Sequence, residues 1–374
     1  MNIAVNTRLL IKDKLEGIGR YSFETLKRLV ALRPNDTFYF LFDRQFDESF
    51  VFGSNVYPVV IGPQARHPFL YYYWYNFSVK RFLKEKKTDL FISMDGMLPL
   101  KTYCKQIAVI HDLNFEHYPK FLPFLLRRYY RRYFPIYAKT ASRILTVSEF
   151  SKKDIVATYN VSKTKIDVSC NAASSVFSVR YEEENKSVKD RCCQGQEYFL
   201  YVGSINPRKN LEGALLAFDL FKSKTNSKFK FLVVGDFMWS NGKVKKLLSK
   251  LKFKDDVIFT GRLNDAELSG VMSACYALVY VSFFEGFGIP ILEAMKSGVP
   301  VIAANNSSMI EVGGDAAILV GPENIQQIAD SMEMLINDQQ LRQDLISKGF
   351  KQEQNYTWDL AAAKMNESID KCLA

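Results

Sequence analysis

The sequence predicts an α/β protein built from two doubly wound, parallel-sheet domains. Three observations carry this. Short β-branched and aromatic runs alternate with longer amphipathic stretches, the pattern of strand–helix–strand units and hence of parallel sheets. The alternation is interrupted once, between 171 and 196, and then restarts. Finally, 374 residues exceed what one ordinary core organises and are comfortable for two.

In the first half, strands are expected at 2–6, 37–42, 56–61, 89–93, 106–110, 143–147 and 165–169. Helices are expected between most of them, notably 18–32, 69–86 and 121–139. These elements make an N-terminal domain over 1–172. The stretch 173–196 is polar, with the run Tyr181-Glu182-Glu183-Glu184-Asn185-Lys186, and reads as an exposed linker. A C-terminal domain then spans 197–356. Its strands are expected at 198–202, 229–234, 257–260, 277–282, 299–303 and 317–320, with a helix at 209–222. A last helix covers 357–373.

Composition narrows the function classes. Apolar residues make up 48% and charged residues 24%, as in a soluble globular protein. No run of about 18 apolar residues occurs, and no charged segment followed by a long apolar one opens the chain, so neither a membrane span nor a signal peptide is expected. Cys104, Cys170, Cys192, Cys193, Cys275 and Cys372 show no Cys-x-x-Cys spacing and are expected to be free thiols of the reducing cytoplasm. His67, His111 and His117 are not spaced as a ligand set, so no structural metal is expected. The net charge of +10 points to an anionic partner.

In open parallel sheets, ligands bind beyond the carboxyl ends of the strands. Four segments stand out there. Gly17-Ile18-Gly19-Arg20-Tyr21 follows the first strand, and its glycines permit tight backbone approach at a helix start that favours an anion. His111-Asp112-Leu113 follows 107–110 and places a histidine where it can bond a hydroxyl or handle protons near neutral pH. Gly203-Ser204-Ile205-Asn206-Pro207-Arg208-Lys209-Asn210 brings a glycine, two cations and a helix start to one loop, a setting for a diphosphate. The fourth is Glu285-Gly286-Phe287-Gly288-Ile289-Pro290-Ile291-Leu292-Glu293. Its glycines bare backbone amides, Pro290 suits a first helical turn, and Glu293 is expected in that turn. Two carboxylates about a glycine loop suit a polyol more than a bare phosphate.

This fourth segment resembles the retaining, GT-B type glycosyltransferases of family four, whose mark is a pair of glutamates with seven residues between them. Glu285 and Glu293 match it. Gly17-Ile18-Gly19-Arg20-Tyr21, His111-Asp112-Leu113, Val147-Ser148-Glu149-Phe150-Ser151, Gly203-Ser204 and Arg208-Lys209-Asn210 are similar to family motifs in the family's order, so the resemblance spans nearly the whole chain. It implies two Rossmann-like domains facing across a cleft, with the final helix, near Trp358, crossing back to the N-terminal domain. It implies a nucleotide sugar in the C-terminal domain and an acceptor, a glycan or lipid-linked saccharide, in the N-terminal one. Glu293 would grip the ribose. Glu285 and the amides of Phe287, Gly288 and Ile289 would hold the transferred sugar. Arg208 and Lys209 would neutralise the diphosphate beside Gly203 and Ser204. Gly17 and Gly19 would let the N-terminal loop close over it, and His111 would touch the sugar near the reacting carbon. Asn171-Ala172-Ala173 departs from the Asn-Gly common in relatives, which puts the interdomain turn in doubt. The motif set is most similar to mannosyltransferases using GDP-mannose; UDP-glucose, UDP-galactose and UDP-N-acetylglucosamine stay open. No Asp-x-Asp stands at a strand exit, so a metal-independent reaction without cofactor is expected.

Two N-terminal segments, 69–77 and 121–134, combine aromatics with basic charge, the second holding Arg127, Arg128, Arg131 and Arg132 and no acid. Such a helix can lie on an anionic membrane, or it can pack its rings into the core and leave its arginines in water. The expected location is cytoplasmic, with peripheral attachment to the inner membrane face. Nucleic-acid binding by aromatic stacking in a basic groove is the rival class, but it leaves Glu285 and Glu293 unexplained. A catalytically inactive donor-binding partner subunit is a further alternative, against which the intact His111, Arg208, Lys209 and glutamates argue.

Overall fold

A computed structural model describes residues 1–15, 17–236 and 242–374. The chain folds as two compact units, Met1–Asn171 with Thr357–Ala374, and Ala172–Tyr356. The first unit holds a seven-stranded sheet of β1 (Asn2–Asn6), β2 (Thr37–Phe42), β3 (Val56–Val60), β4 (Leu90–Ser93), β5 (Lys105–Val109), β6 (Arg143–Thr146) and β7 (Ile166–Val168), in the order β3-β2-β1-β4-β5-β6-β7. The second holds a six-stranded sheet of β8 (Tyr198–Val202), β9 (Lys230–Val234), β10 (Val257–Gly261), β11 (Ala277–Tyr280), β12 (Val301–Ala304) and β13 (Ala317–Val320), in the order β10-β9-β8-β11-β12-β13. Every strand pair is parallel.

The strands form where apolar β-formers run together. All five residues of β8, Tyr-Phe-Leu-Tyr-Val, are buried, as they must be when helices cover both faces. Phe91, Tyr137 and Ile144 centre one core, and Phe199, Phe218, Phe231 and Val279 the other. In both sheets the order reverses at a central pair, β1/β4 and β8/β11, and that reversal opens a crevice at the carboxyl edge.

The final helix, Trp358–Leu373, packs on the helix Gly17–Leu32 and on β5, β6 and β7 of the first unit. Arg28 pairs with Asp359 at 2.6 Å and Lys371 with Asp167 at 3.2 Å. Three expectations change. The segment read as a linker holds the helix Glu182–Cys193, which buries Val188 and Cys193 and packs on the helix Asp265–Ala274 of the second unit. Its apolar face is two residues wide, too narrow to read against so many charges. The single helix expected at 69–86 is a helix Pro68–Tyr73, a π-helical stretch Trp74–Val79 and a helix Lys80–Glu85. The helix expected at 121–139 begins at Phe124, behind Pro123. Among the described residues, no helix is long and apolar enough to cross a membrane.

Candidate active site

In the second unit, β8 ends at Gly203, whose φ of 144° suits glycine. Gly235, leaving β9, also has φ 144°, and a Cβ there would lie 2.1 Å from the Gly203 carbonyl oxygen. Both positions therefore require glycine. Ser204 follows, its hydroxyl accepting from the Asn206 amide at 3.0 Å. Asn206 opens a single 3-10 turn, Pro207–Lys209, by accepting the N–H groups of Arg208 and Lys209 at 3.1 and 3.3 Å. Asn210, at φ 55°, ends that turn and caps the helix Leu211–Thr225 through Gly213 N. Its side-chain amide also donates to the carbonyls of Val281 and Pro322, at 2.9 and 2.7 Å. Arg208 and Lys209 thus precede the helix on a turn of their own, rather than standing at the start of a helix over 209–222. Their placement comes from Asn206 and Asn210.

Both cations reach Glu285, on the loop after β11. Arg208 Nη1 lies 2.9 Å from Oε2 and Lys209 Nζ 2.7 Å from Oε1. The Arg208 guanidinium also donates to the Phe284 carbonyl. Lys209 Nζ donates to the Tyr280 hydroxyl at 2.6 Å and lies 4.8 Å from that ring's centroid. Glu285 is buried. Burial alone would raise its pKa, but Arg208 and then Lys209 hold it down, at about 2. It is a carboxylate at neutral pH, able to accept hydroxyl hydrogens and unable to act as an acid.

The glutamate loop is tied to the exit of β12. Ser307 Oγ accepts from Glu285 N at 3.1 Å, and the Ser308 hydroxyl faces the carbonyls of Glu285 and Phe287 at 2.9 and 2.8 Å. The Asn306 amide donates to the Phe283 carbonyl at 3.1 Å. Beyond Gly286, Phe287 is buried edge-on to Tyr356. Gly288, at φ 105°, leads into the helix Ile289–Lys296, which no side chain caps. Its first amides are those of Ile289 and, past Pro290, Ile291. Glu293 is the fifth residue of this helix and half-buried, so it stands in the second turn and not the first. The structure thus gathers Gly203, Arg208, Lys209 and Glu285 at one switch point, with Glu293 on the helix that follows the Glu285 loop. Sequence reasoning missed Gly235, Tyr280 and the Asn306-Ser307-Ser308 run. The last is a polar cluster at a strand exit and was findable; Tyr280 ends an apolar strand and carried no signal.

In the first unit, His111 lies two residues past β5. Its Nε2 is 3.0 Å from the Met94 carbonyl oxygen, and a carbonyl only accepts, so the neutral ring carries its proton on Nε2. Burial pushes its pKa down, opposed by the Met94 bond and by Asp112 and Asp95. Tyr21 meets the ring edge-on at 5.1 Å. The Tyr21 hydroxyl donates to Ser169 at 2.7 Å, and Ser169 to the Ala361 carbonyl of the final helix at 2.9 Å. Ser148 caps the helix Glu149–Tyr159, and Ser151 donates to the His111 carbonyl at 3.2 Å. Gly17 is the first residue of its helix, and a Cβ on Gly19 would stand 2.8 Å from the Leu9 carbonyl oxygen. Gly19 is therefore needed for the helix to start against the loop leaving β1. Among the described residues, no group of three or more His, Cys, Asp or Glu could hold a metal ion.

Comparison with known proteins places this geometry. A family model for glycosyl transferases group 1 matches 182–352, and one for glycosyltransferase family 4 matches 15–174. The chain is 28% identical to O-antigen chain mannosyltransferase B of Escherichia coli, over 93% of this chain and 94% of that one. It is 30% identical to O-antigen chain mannosyltransferase RfbU of Salmonella typhimurium, over 72% and 73%. Among solved structures, it matches the sucrose-phosphate synthase of Thermosynechococcus elongatus with a TM-score of 0.78 at 15% identity, over 99% of this chain and 98% of that one. The two Rossmann-like sheets, the motif-bearing loops at their carboxyl edges and these matches agree, and the chain belongs to the group 1, family 4 glycosyltransferases of the GT-B fold class.

Proposed function

We propose that this glycosyltransferase transfers mannose from GDP-mannose, with retention of anomeric configuration and without a metal, to a glycan or lipid-linked saccharide in cell-surface polysaccharide synthesis. The mannosyltransferase relatives support the sugar. The observation that carries the chemistry is the cluster of Arg208, Lys209 and Glu285 at the second switch point. Two cations held by asparagine caps are ready for a diphosphate, and a permanent carboxylate beside them suits sugar hydroxyls. Glu293 grips the ribose, the amides of Phe287, Gly288 and Ile289 hold the transferred sugar, and Gly203 and Ser204 admit the phosphates closely. His111 offers Nδ1 to a substrate hydroxyl.

Cleavage of the bond from anomeric carbon to phosphate leaves the electron pair on the diphosphate. Arg208 and Lys209 stabilise that charge. The acceptor oxygen bonds the same face of the carbon and its proton passes to the departing phosphate. Incubation with GDP-mannose, acceptor and excess chelator should give an α-mannoside, read by NMR. A β product, or activity that chelator abolishes and a divalent cation restores, would overturn the corresponding part. Turnover of UDP-sugars alone would overturn the donor.

A lipid-linked acceptor would be met at a membrane surface. Trp74, Tyr75, Tyr129, Phe134 and Tyr137 pack inward, while Phe124 and Leu125 stay 61% and 55% exposed beside the exposed Arg128, Arg131 and Arg132. We propose that this end of the helix Phe124–Thr140 docks on anionic lipid. Co-sedimentation with vesicles containing anionic lipid should exceed that with neutral vesicles and fall when Arg128, Arg131 and Arg132 are replaced by Gln; background binding to both kinds would refute it.

A further inference from the structure

The first unit carries a buried charge pair that none of the proposed chemistry uses. Arg8 leaves β1 and Asp95 leaves β4, so the two meet at the first switch point, with Arg8 Nε 2.6 Å from Asp95 Oδ2. Their side chains are 7% and 4% exposed. Arg8 also donates to the Ala65 carbonyl at 3.2 Å and lies over the Tyr71 ring at 4.8 Å. Asp95 accepts from the Tyr75 hydroxyl at 2.8 Å, from Ser93 Oγ at 3.0 Å and from Met97 N at 3.2 Å. Tyr75 in turn accepts from Asn6 at 2.6 Å. Burial would raise the Asp95 carboxyl, yet Arg8 and these bonds hold it below its ordinary value, so it stays charged.

Such a pair is weak evidence for stability, because desolvating two charges offsets their attraction. Its geometry indicates another use. Ser93 and Met97, before and after Met94, are both bonded to the one Asp95 carboxylate. Gly96, at φ 78°, completes the turn, where a Cβ would stand 3.2 Å from the Val109 carbonyl oxygen. The Met94 carbonyl is therefore presented from a clamped turn, and what it meets is Nε2 of His111.

We propose that Arg8, Asp95 and Tyr75 are positioning residues for His111: they clamp the Ser93–Met97 turn so that the Met94 carbonyl fixes the imidazole ring and keeps its proton on Nε2. Nδ1 is then the ring's only acceptor. That the ring takes part in transfer rests on the proposed function; that it is fixed in this way does not.

The test uses the full chain with 15N-labelled histidine. There are three histidines, and His111→Gln identifies the signal. The wild-type His111 ring is expected to show a Nε2–H proton protected from solvent. Tyr75→Phe removes one bond to Asp95 and keeps the ion pair; Asp95→Asn removes the charge. Each should speed exchange of that proton, by about tenfold or more in Asp95→Asn, and lower kcat with little change in KM. If Asp95→Asn does not fold, Tyr75→Phe carries the test alone. An unprotected Nε2–H in the wild type, or unchanged protection in every folded variant, overturns the proposal. Faster exchange with unchanged kcat upholds the clamp and removes His111 from the proposed chemistry instead.

Discussion

The two sheets place an acid and a cation at the same topological point, and the two pairs are built for different ends. At β1/β4, Arg8 and Asp95 are enclosed and bonded to their own unit by Ala65, Ser93, Tyr75 and Met97. At β8/β11, Arg208, Lys209 and Glu285 sit on the loops that leave β8 and β11, with side chains 18%, 12% and 9% exposed. The first pair has two charges that match each other. The second brings two cations, Arg208 and Lys209, to the carboxylate of Glu285 on loops that leave the strands. A switch point thus does not by itself make a binding site. The loop chemistry around it decides whether charges hold the fold or meet a ligand.

The comparison breaks most readily at Asp95. Asp95→Ala leaves Arg8 buried without its partner, and should cost about 3–5 kcal/mol of folding stability in a denaturant titration. Arg208→Ala should act the other way round. It should cost about 2–4 kcal/mol in transition-state stabilisation, read from kcat/KM, with little loss of melting temperature. Equal effects of both substitutions on stability would erase the distinction. A smaller effect sharpens it at the second switch point. Gly235→Ala drives a Cβ into the Gly203 carbonyl at a φ that L residues avoid. It should cost roughly 1–3 kcal/mol of stability and weaken nucleotide binding through the displaced Gly203 loop. Wild-type behaviour there would mean that the two strand exits need not approach so closely.

Much of this is legible in the sequence. Each strand is a short apolar run and forms within two residues of its expected bounds. The glutamate loop is legible because Gly286, Gly288, Pro290 and Glu293 each carry a separate backbone or charge signal. The helix Glu182–Cys193 was not legible, since Val188 and Cys193 are its only buried side chains. Arg8 and Asp95 were not legible either. They lie 87 residues apart and read singly as loop charges; only the order that sets β1 beside β4 joins them. Local pattern specifies elements, and pairs made by a sheet's topology become visible only once its strands are ordered.

The central claim is that the β8/β11 cluster holds the diphosphate of a nucleotide sugar. The most direct test is calorimetric titration of GDP into the full chain with chelator present, beside Arg208→Ala and Lys209→Ala, each checked for wild-type melting. The account predicts one site in the wild type, bound without metal, and affinity lowered at least tenfold in each variant, about 1.4 kcal/mol. Unchanged affinity in both folded variants would contradict it and move the diphosphate to another part of the molecule.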